Sequence, residues 1–163
     1  MDSNRIIIDT TYVLPLFGIK IKNLRKLNEG IKLIFGKKKQ NFEVYLPSIC
    51  LIEVLYKLFR EYRKNRDYSI LRRYPIVIPT ISSSTNMKIS NPYLDSTASL
   101  FAIKVKHAGH TDIFDCLIAG TSLSHNGILL TEDNTLTNQL KAMPEFKLLT
   151  IWSWKDFIKT YLS

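Results

Sequence analysis

The chain has 163 residues, 45% hydrophobic and 23% charged, with a formal net charge of +9. That length and composition fit one soluble globular domain, taken as residues 1–163, with room for a sizeable core. No uncharged apolar run approaches the roughly 18 residues of a membrane-spanning helix, and a polar start leading straight into a strand is not a signal peptide, so the expected setting is cytoplasmic with no membrane partner.

Taken in chain order, residues 5–9 predict a first strand, Arg5-Ile6-Ile7-Ile8-Asp9, whose continuous apolar run implies burial on both faces. A short helical turn follows over Tyr12–Phe17, limited by Pro15. Ile21, Leu24, Leu27, Ile31 and Ile34 recur at helical spacing and predict a helix over residues 20–35. Residues 42–46 predict a second strand, and Pro47-Ser48 opens a long helix to about Asn65 that Ser48 would cap.

Residues 67–79 read as a helical turn followed by a strand at Ile76-Val77-Ile78, and the polar Ser82–Pro92 segment as a loop. Helices are expected over residues 93–107 and 111–125, a strand at 127–131, a helix at 134–142, a strand at 146–151 and a final helix at 153–161. Strands alternating with helices point to an α/β/α sandwich with a central, mostly parallel sheet of about four or five strands.

Four acids are candidates to gather where such a fold binds ligands, outside the carboxyl ends of its strands. Asp9 ends the first strand; a helix cap is the plainer role for it. Glu53 shares a helix face with Ile49, Ile52 and Tyr56, where a carboxylate needs a cation, a metal or a proton unless it reaches water at the edge of the stripe. Asp112 and Asp115 lie three apart at a helix start; Asp112 suits the helix dipole, whereas Asp115 interrupts an apolar surface. Asp133 leaves the 127–131 strand at the same edge as Asp9 if the two strands run parallel. Glu132 is expected to be a solvated loop residue. Carboxylates converging in a basic protein suit Mg²⁺ or Mn²⁺ facing a polyanion, with hydroxyls at Thr11 and Thr131 to orient a carboxylate or a phosphate oxygen.

Ile-Ile-Asp9-Thr-Thr11-Tyr, Pro-Ser-x-x-x-x-Glu53, Asp115-Cys-Leu-Ile-Ala-Gly and Leu-Leu-Thr131-Glu-Asp133, in that order, resemble the PIN-domain pattern and within it the VapC-type toxins of toxin–antitoxin pairs. The resemblance spans about residues 5–160. It implies a metal-dependent endoribonuclease with Asp9, Glu53, Asp115 and Asp133 as the acids that hold metal and carry catalysis. Thr11 and Thr131 match the family's hydroxyl positions, while Asp112 falls where relatives vary. RNA as substrate, a homodimer and a neutralising antitoxin are implied in the same way. The chain is longer than a compact member of the family, mainly over residues 18–42 and 80–95.

Three other readings stand beside this one. A haloacid-dehalogenase-like phosphatase also begins with an Asp at the end of the first strand, but it needs a second Asp where this chain has Thr11. A PIN-like module could bind RNA or protein without cutting, and a DNA or flap nuclease could use the same fold. Lys57, Arg60, Arg63 and Lys64 on the long helix, with Lys37-Lys38-Lys39, are candidate contacts to a nucleic-acid backbone, against the alternative of a solvated helix face. Tyr56, Phe59 and Tyr62 are expected in core or dimer packing rather than base stacking. Cys50 and Cys116 are expected as buried thiols, His107, His110 and His125 as surface or capping residues, and Trp152 and Trp154 in core packing.

Overall fold

The computed structural model describes residues 4–36 and 40–162; Lys37-Lys38-Lys39 lies outside the described residues. One sheet holds five strands: β1 (Asn4–Ile8), β2 (Phe42–Pro47), β3 (Met87–Ser90), β4 (Ile128–Leu130) and β5 (Ile151–Trp152). Their order is β3-β2-β1-β4-β5, and every neighbouring pair is parallel. The helices are α1 (Leu27–Phe35), α2 (Ser48–Asn65), α3 (Ser69–Ser82), α4 (Ser96–His107), α5 (Ile113–Ser124), α6 (Asn134–Ala142) and α7 (Trp154–Tyr161). Among the described residues no helix is long and apolar enough to cross a membrane.

The lack of alternation in β1 has a direct cause. Asn4 donates to the Tyr161 hydroxyl on α7, while Arg5 donates to the His125 carbonyl just past α5. Successive side chains of the strand thus meet helices on opposite faces, and Ile6, Ile7 and Ile8 are fully buried. Register pairs Ile8 with Leu130, and the ladder runs one step further: Asp9 N–H donates to Leu130 O at 3.1 Å and Thr131 N–H to Trp152 O at 3.0 Å. Strands β1 and β4 therefore end at one level, and the residues after them emerge at one edge.

Five expectations need correction. The apolar run Ile76-Val77-Ile78 is not a strand but part of α3. Its governing pattern is the longer one, with Ile70, Tyr74, Val77, Ile78 and Ile81 turned toward the core while Ile76 is 70% exposed. The Ser82–Pro92 segment contains edge strand β3, whose main-chain pairing to β2 needs no apolar run. Helix α1 begins only at Leu27, because Asn23 and Lys26 adopt left-handed φ of 69° and 50°. The last strand shrinks to Ile151–Trp152, since a 3-10 turn at Pro144–Phe146 delays the chain's arrival at the sheet. Ser48 does not cap α2 either: Pro47 holds the cap position and the buried Ser48 hydroxyl has no hydrogen-bond partner among the described residues.

Helices α4 and α5 cross closely at Gly120, where an added Cβ would stand 2.2 Å from the Ala98 carbonyl oxygen. Gly120→Ala is expected to cost about 1–3 kcal/mol through this backbone clash, outweighing the roughly 1 kcal/mol gain in helix propensity. Urea unfolding followed by circular dichroism reads the shift; an unchanged midpoint would show that the helices separate freely.

Candidate active site

The strand-end edge gathers the acids through local capping geometry. Asp9 follows β1 in extended conformation and caps a 3-10 turn at Thr10–Tyr12, its Oδ1 accepting from Thr11 N–H at 3.3 Å. Its Oδ2 accepts from the Thr131 hydroxyl at 2.8 Å. That hydroxyl in turn accepts from Asp133 N–H at 3.1 Å, so one side chain joins the residues following β1 and β4. Asp133 caps α6, with Oδ1 accepting from Leu136 N–H at 2.8 Å.

Glu53 approaches from the second turn of α2. It accepts from the Thr10 hydroxyl and pairs with Lys57 at 2.9 Å. Asp115 lies in the first turn of α5, with Oδ2 3.0 Å from His110 Nε2. Asp112 is exposed and caps α5 by accepting from Phe114 N–H at 2.8 Å.

The carboxylates feel one another. Asp9 is pushed up to about 6, first by loss of solvent and then by the charges of Asp115 and Glu53, against the pull of Thr131 and Thr11. Asp115 is also raised, by burial and by Asp112 and Asp133, with His110 opposing. The structure thus brings Asp9, Glu53, Asp115 and Asp133 into one electrostatic neighbourhood and leaves Asp112 at its rim. Among the described residues a lysine ammonium reaches one of the four, Lys57 at Glu53, while the imidazole of His110 lies against Asp115. Asp9 and Asp133 are met by hydroxyl and backbone donors instead. Desolvated oxygen donors of like charge, short of cations, fit a divalent ion.

Several side chains take roles other than those expected. Thr10, buried, supplies the hydroxyl that holds Glu53, while Thr11 contributes its backbone N–H to Asp9. His110 is neither surface nor cap: it is 6% exposed, between Asp115 and Gln139. His107 is exposed and His125 half-buried against Tyr45. Glu132 is no idle loop residue; its Oε1 accepts from the Tyr12 hydroxyl at 2.8 Å and from Trp154 N–H at 2.6 Å. Burial and this carboxylate hold the Tyr12 hydroxyl far above the usual phenol range, so it remains a donor.

Along α2, Glu53, Lys57, Arg60 and Lys64 succeed one another at steps of four, three and four, forming one stripe that leads away from the acids. Lys64 pairs with Glu61 at 3.3 Å, and Arg60 and Arg63 are exposed. Tyr56 and Phe59 are not core residues, at 66% and 43% exposure. Trp154 is buried and stacks on Tyr12 with ring centroids 5.2 Å apart. Cys50 and Cys116 are buried free thiols.

The sequence matches the PIN domain family over residues 6–139. No curated protein sequence matches it. Among solved structures, VapBC2 from Rickettsia felis, bound to a DNA fragment from their promoter, is similar with a TM-score of 0.56 and 16% identity, over 92% of this chain and 98% of that one. DNA-bound VapBC from Salmonella typhimurium gives a TM-score of 0.58 and 17% identity, over 93% and 98%. PAE2754 from Pyrobaculum aerophilum gives 0.60 and 14%, over 97% and 89%. At such identities the likeness concerns the fold.

The raised Asp9 has a stability consequence in metal-free protein. The fold favours its neutral form, so the folded state binds more protons than the unfolded chain between the ordinary 3.8 and about 6. Stability is therefore lost as pH rises through that window, by about 3 kcal/mol at most. Asp9→Asn is expected to melt at higher temperature than the parent at pH about 7.5 in EDTA, with a flatter fall over this range. A variant less stable than the parent, with the slope unchanged, would contradict this account.

Proposed function

Because this chain belongs to the PIN domain family, whose members are nucleases, we propose that it is a Mg²⁺- or Mn²⁺-dependent endoribonuclease and the toxin of a toxin–antitoxin pair. The observation that carries the proposal is the convergence of Asp9, Glu53, Asp115 and Asp133 at one strand edge, with Asp9 and Asp115 raised by burial and mutual repulsion. Asp9, Asp115 and Asp133 would hold the principal cation, and Glu53 would complete its ligands or hold a second ion. A bound divalent ion there supplies neutralisation of charge at a phosphodiester and activation of water.

The chain's own residues do the rest. Thr131 fixes which Asp9 oxygen turns inward, Thr10 holds Glu53, and the Asp133 cap sets its rotamer. Lys57, Arg60, Arg63 and Lys64 would bind successive phosphates of a single strand laid along α2. Attack of water in line with the O3′ leaving group would yield 5′-phosphate and 3′-hydroxyl ends. RNA as substrate, an antitoxin partner and a homodimer rest on the family resemblance. They also draw on the similarity to solved structures of a toxin-antitoxin complex from Klebsiella pneumoniae and of VapBC bound to DNA. The phosphatase alternative lacks its second acid, since the position holds Thr11.

Cleavage of mixed RNA by purified protein in Mn²⁺ tests this directly. Asp9→Asn and Asp115→Asn are expected to abolish cutting with the fold intact, Thr131→Val to lower it by roughly 10–100-fold, and EDTA to stop it. Full activity in either Asn variant would refute the site, and RNA binding without cutting under any divalent metal would favour a binding module. Competition with single-stranded DNA of the same sequence decides the substrate. In a second measurement, Arg60→Ala with Lys64→Ala is expected to reduce the slope of log affinity against log salt by about 1–1.5; an unchanged slope would move the RNA path off α2. Light scattering and co-expression test the dimer and the antitoxin.

A further inference from the structure

His110 is the feature of this edge that neither the four-acid pattern nor the basic stripe absorbs. It stands between α4 and α5, with its side chain 5% exposed. Its two ring nitrogens face different neighbours: Nδ1 is 3.2 Å from Gln139 Oε1 and Nε2 is 3.0 Å from Asp115 Oδ2. The amide of Gln139 cannot be turned the other way, because its Nε2 donates to the Val105 carbonyl at 3.1 Å, an acceptor only a nitrogen can serve. Gln139 therefore offers oxygen to the ring, and Nδ1 must carry a hydrogen. The nitrogen left to face the acids is Nε2. A second acid is close by: one ligand atom each of His110, Asp115 and Asp133 lie within 4.8 Å of one another.

This is how a protein prepares an imidazole as a ligand. The rear nitrogen is held by a fixed acceptor, which sets both tautomer and ring orientation, and the front nitrogen is aimed at the ion. A histidine kept only for packing has no need to turn its second nitrogen onto a carboxylate that has another close by. Bond lengths of about 2.0–2.1 Å put opposite ligands about 4.2 Å apart across an ion. The triad closes on a cation by a shift of under roughly an ångström.

We propose that His110 is a nitrogen ligand, through Nε2, of the cation shared by Asp115 and Asp133. The inference rests on the metal-dependent reading above and deepens it. The centre is a mixed nitrogen and oxygen site rather than a purely carboxylate one. Imidazole favours Mn²⁺, Co²⁺ and Zn²⁺ over Mg²⁺, which prefers oxygen donors and water. Gln139 is the positioning residue behind it, acting through the ring.

The test is pulsed electron paramagnetic resonance on Mn²⁺-loaded full-length protein. A His107→Gln/His125→Gln double variant leaves His110 as the sole histidine of the three, and it is prepared with natural-abundance and with ¹⁵N-labelled histidine. Histidine nitrogen modulation of the Mn²⁺ echo that changes on labelling is the expected result. His110→Gln in the otherwise native chain should lose that modulation and bind Mn²⁺ roughly 10–100-fold more weakly, with a smaller loss for Mg²⁺ by competition titration. Since the labelled double variant retains His110, the result does not depend on His110→Gln folding. Stoichiometric Mn²⁺ with no histidine coupling would overturn the inference and leave the nuclease reading standing. Absence of any Mn²⁺ binding would overturn both.

Discussion

The Thr131 hydroxyl bonded to Asp9 is the contact on which the site turns. It exists because β1 and β4 run parallel in a register that ends both at one level, pairing Ile8 with Leu130. Slip that register by a residue and Asp9 moves off the level of Thr131 and loses its donor, so the same apolar pairing that builds the core also aims the carboxylate. The choice of donor matters. A hydroxyl orients an anion without neutralising it, so Asp9 keeps its charge problem at about 6 rather than having it solved from within the protein. Glu53 is treated differently, since Lys57 supplies a cation directly. The edge is thus asymmetric, satisfied at α2 and left wanting a positive charge between β1, β4 and α5.

Helix α2 joins two tasks. Its second turn delivers Glu53 to the acids, and its later turns carry Lys57, Arg60 and Lys64 along the same stripe. Helical spacing alone makes the direction of the basic path and the position of the acid one rigid quantity. Opposite it, α5 brings Asp115 by packing against α4 at a glycine, because the two backbones meet where no side chain fits. Both approaches are set by core geometry and leave little to loop conformation.

Legibility in the sequence followed how local each signal was. The unbroken isoleucines of β1 declared a doubly covered strand, and the long helix to Asn65 was plain from its spacing, while the helix at 134–142 keeps the bounds read for it. Elements defined by partners were not. Strand β3 has no run of its own to announce it, and the left-handed Lys26 that delays α1 has no signature in a lysine. Ile76-Val77-Ile78 misled because three β-branched residues outweigh, over a short window, a period that only fourteen residues of α3 reveal. In the site, acids at strand ends could be found by position. Thr10 against Thr11 could not: which of two adjacent threonines turns inward depends on the 3-10 turn after the strand. His110 could not either, since its meaning comes from Gln139, distant in the chain, and no spacing rule joins them.

Residues 131 to 133 divide their labour by alternation, with Thr131 and Asp133 turned to the acids and Glu132 turned away to clasp Tyr12 and the amide that starts α7. Glu132 and Trp154 also line a cavity of about 640 Å³ beside Arg25, Lys26, Lys155 and Lys159. Three consecutive residues thus tie the acidic edge to the start of α7, since the stretch that brings Thr131 and Asp133 to the acids also carries the carboxylate that holds Trp154 N–H.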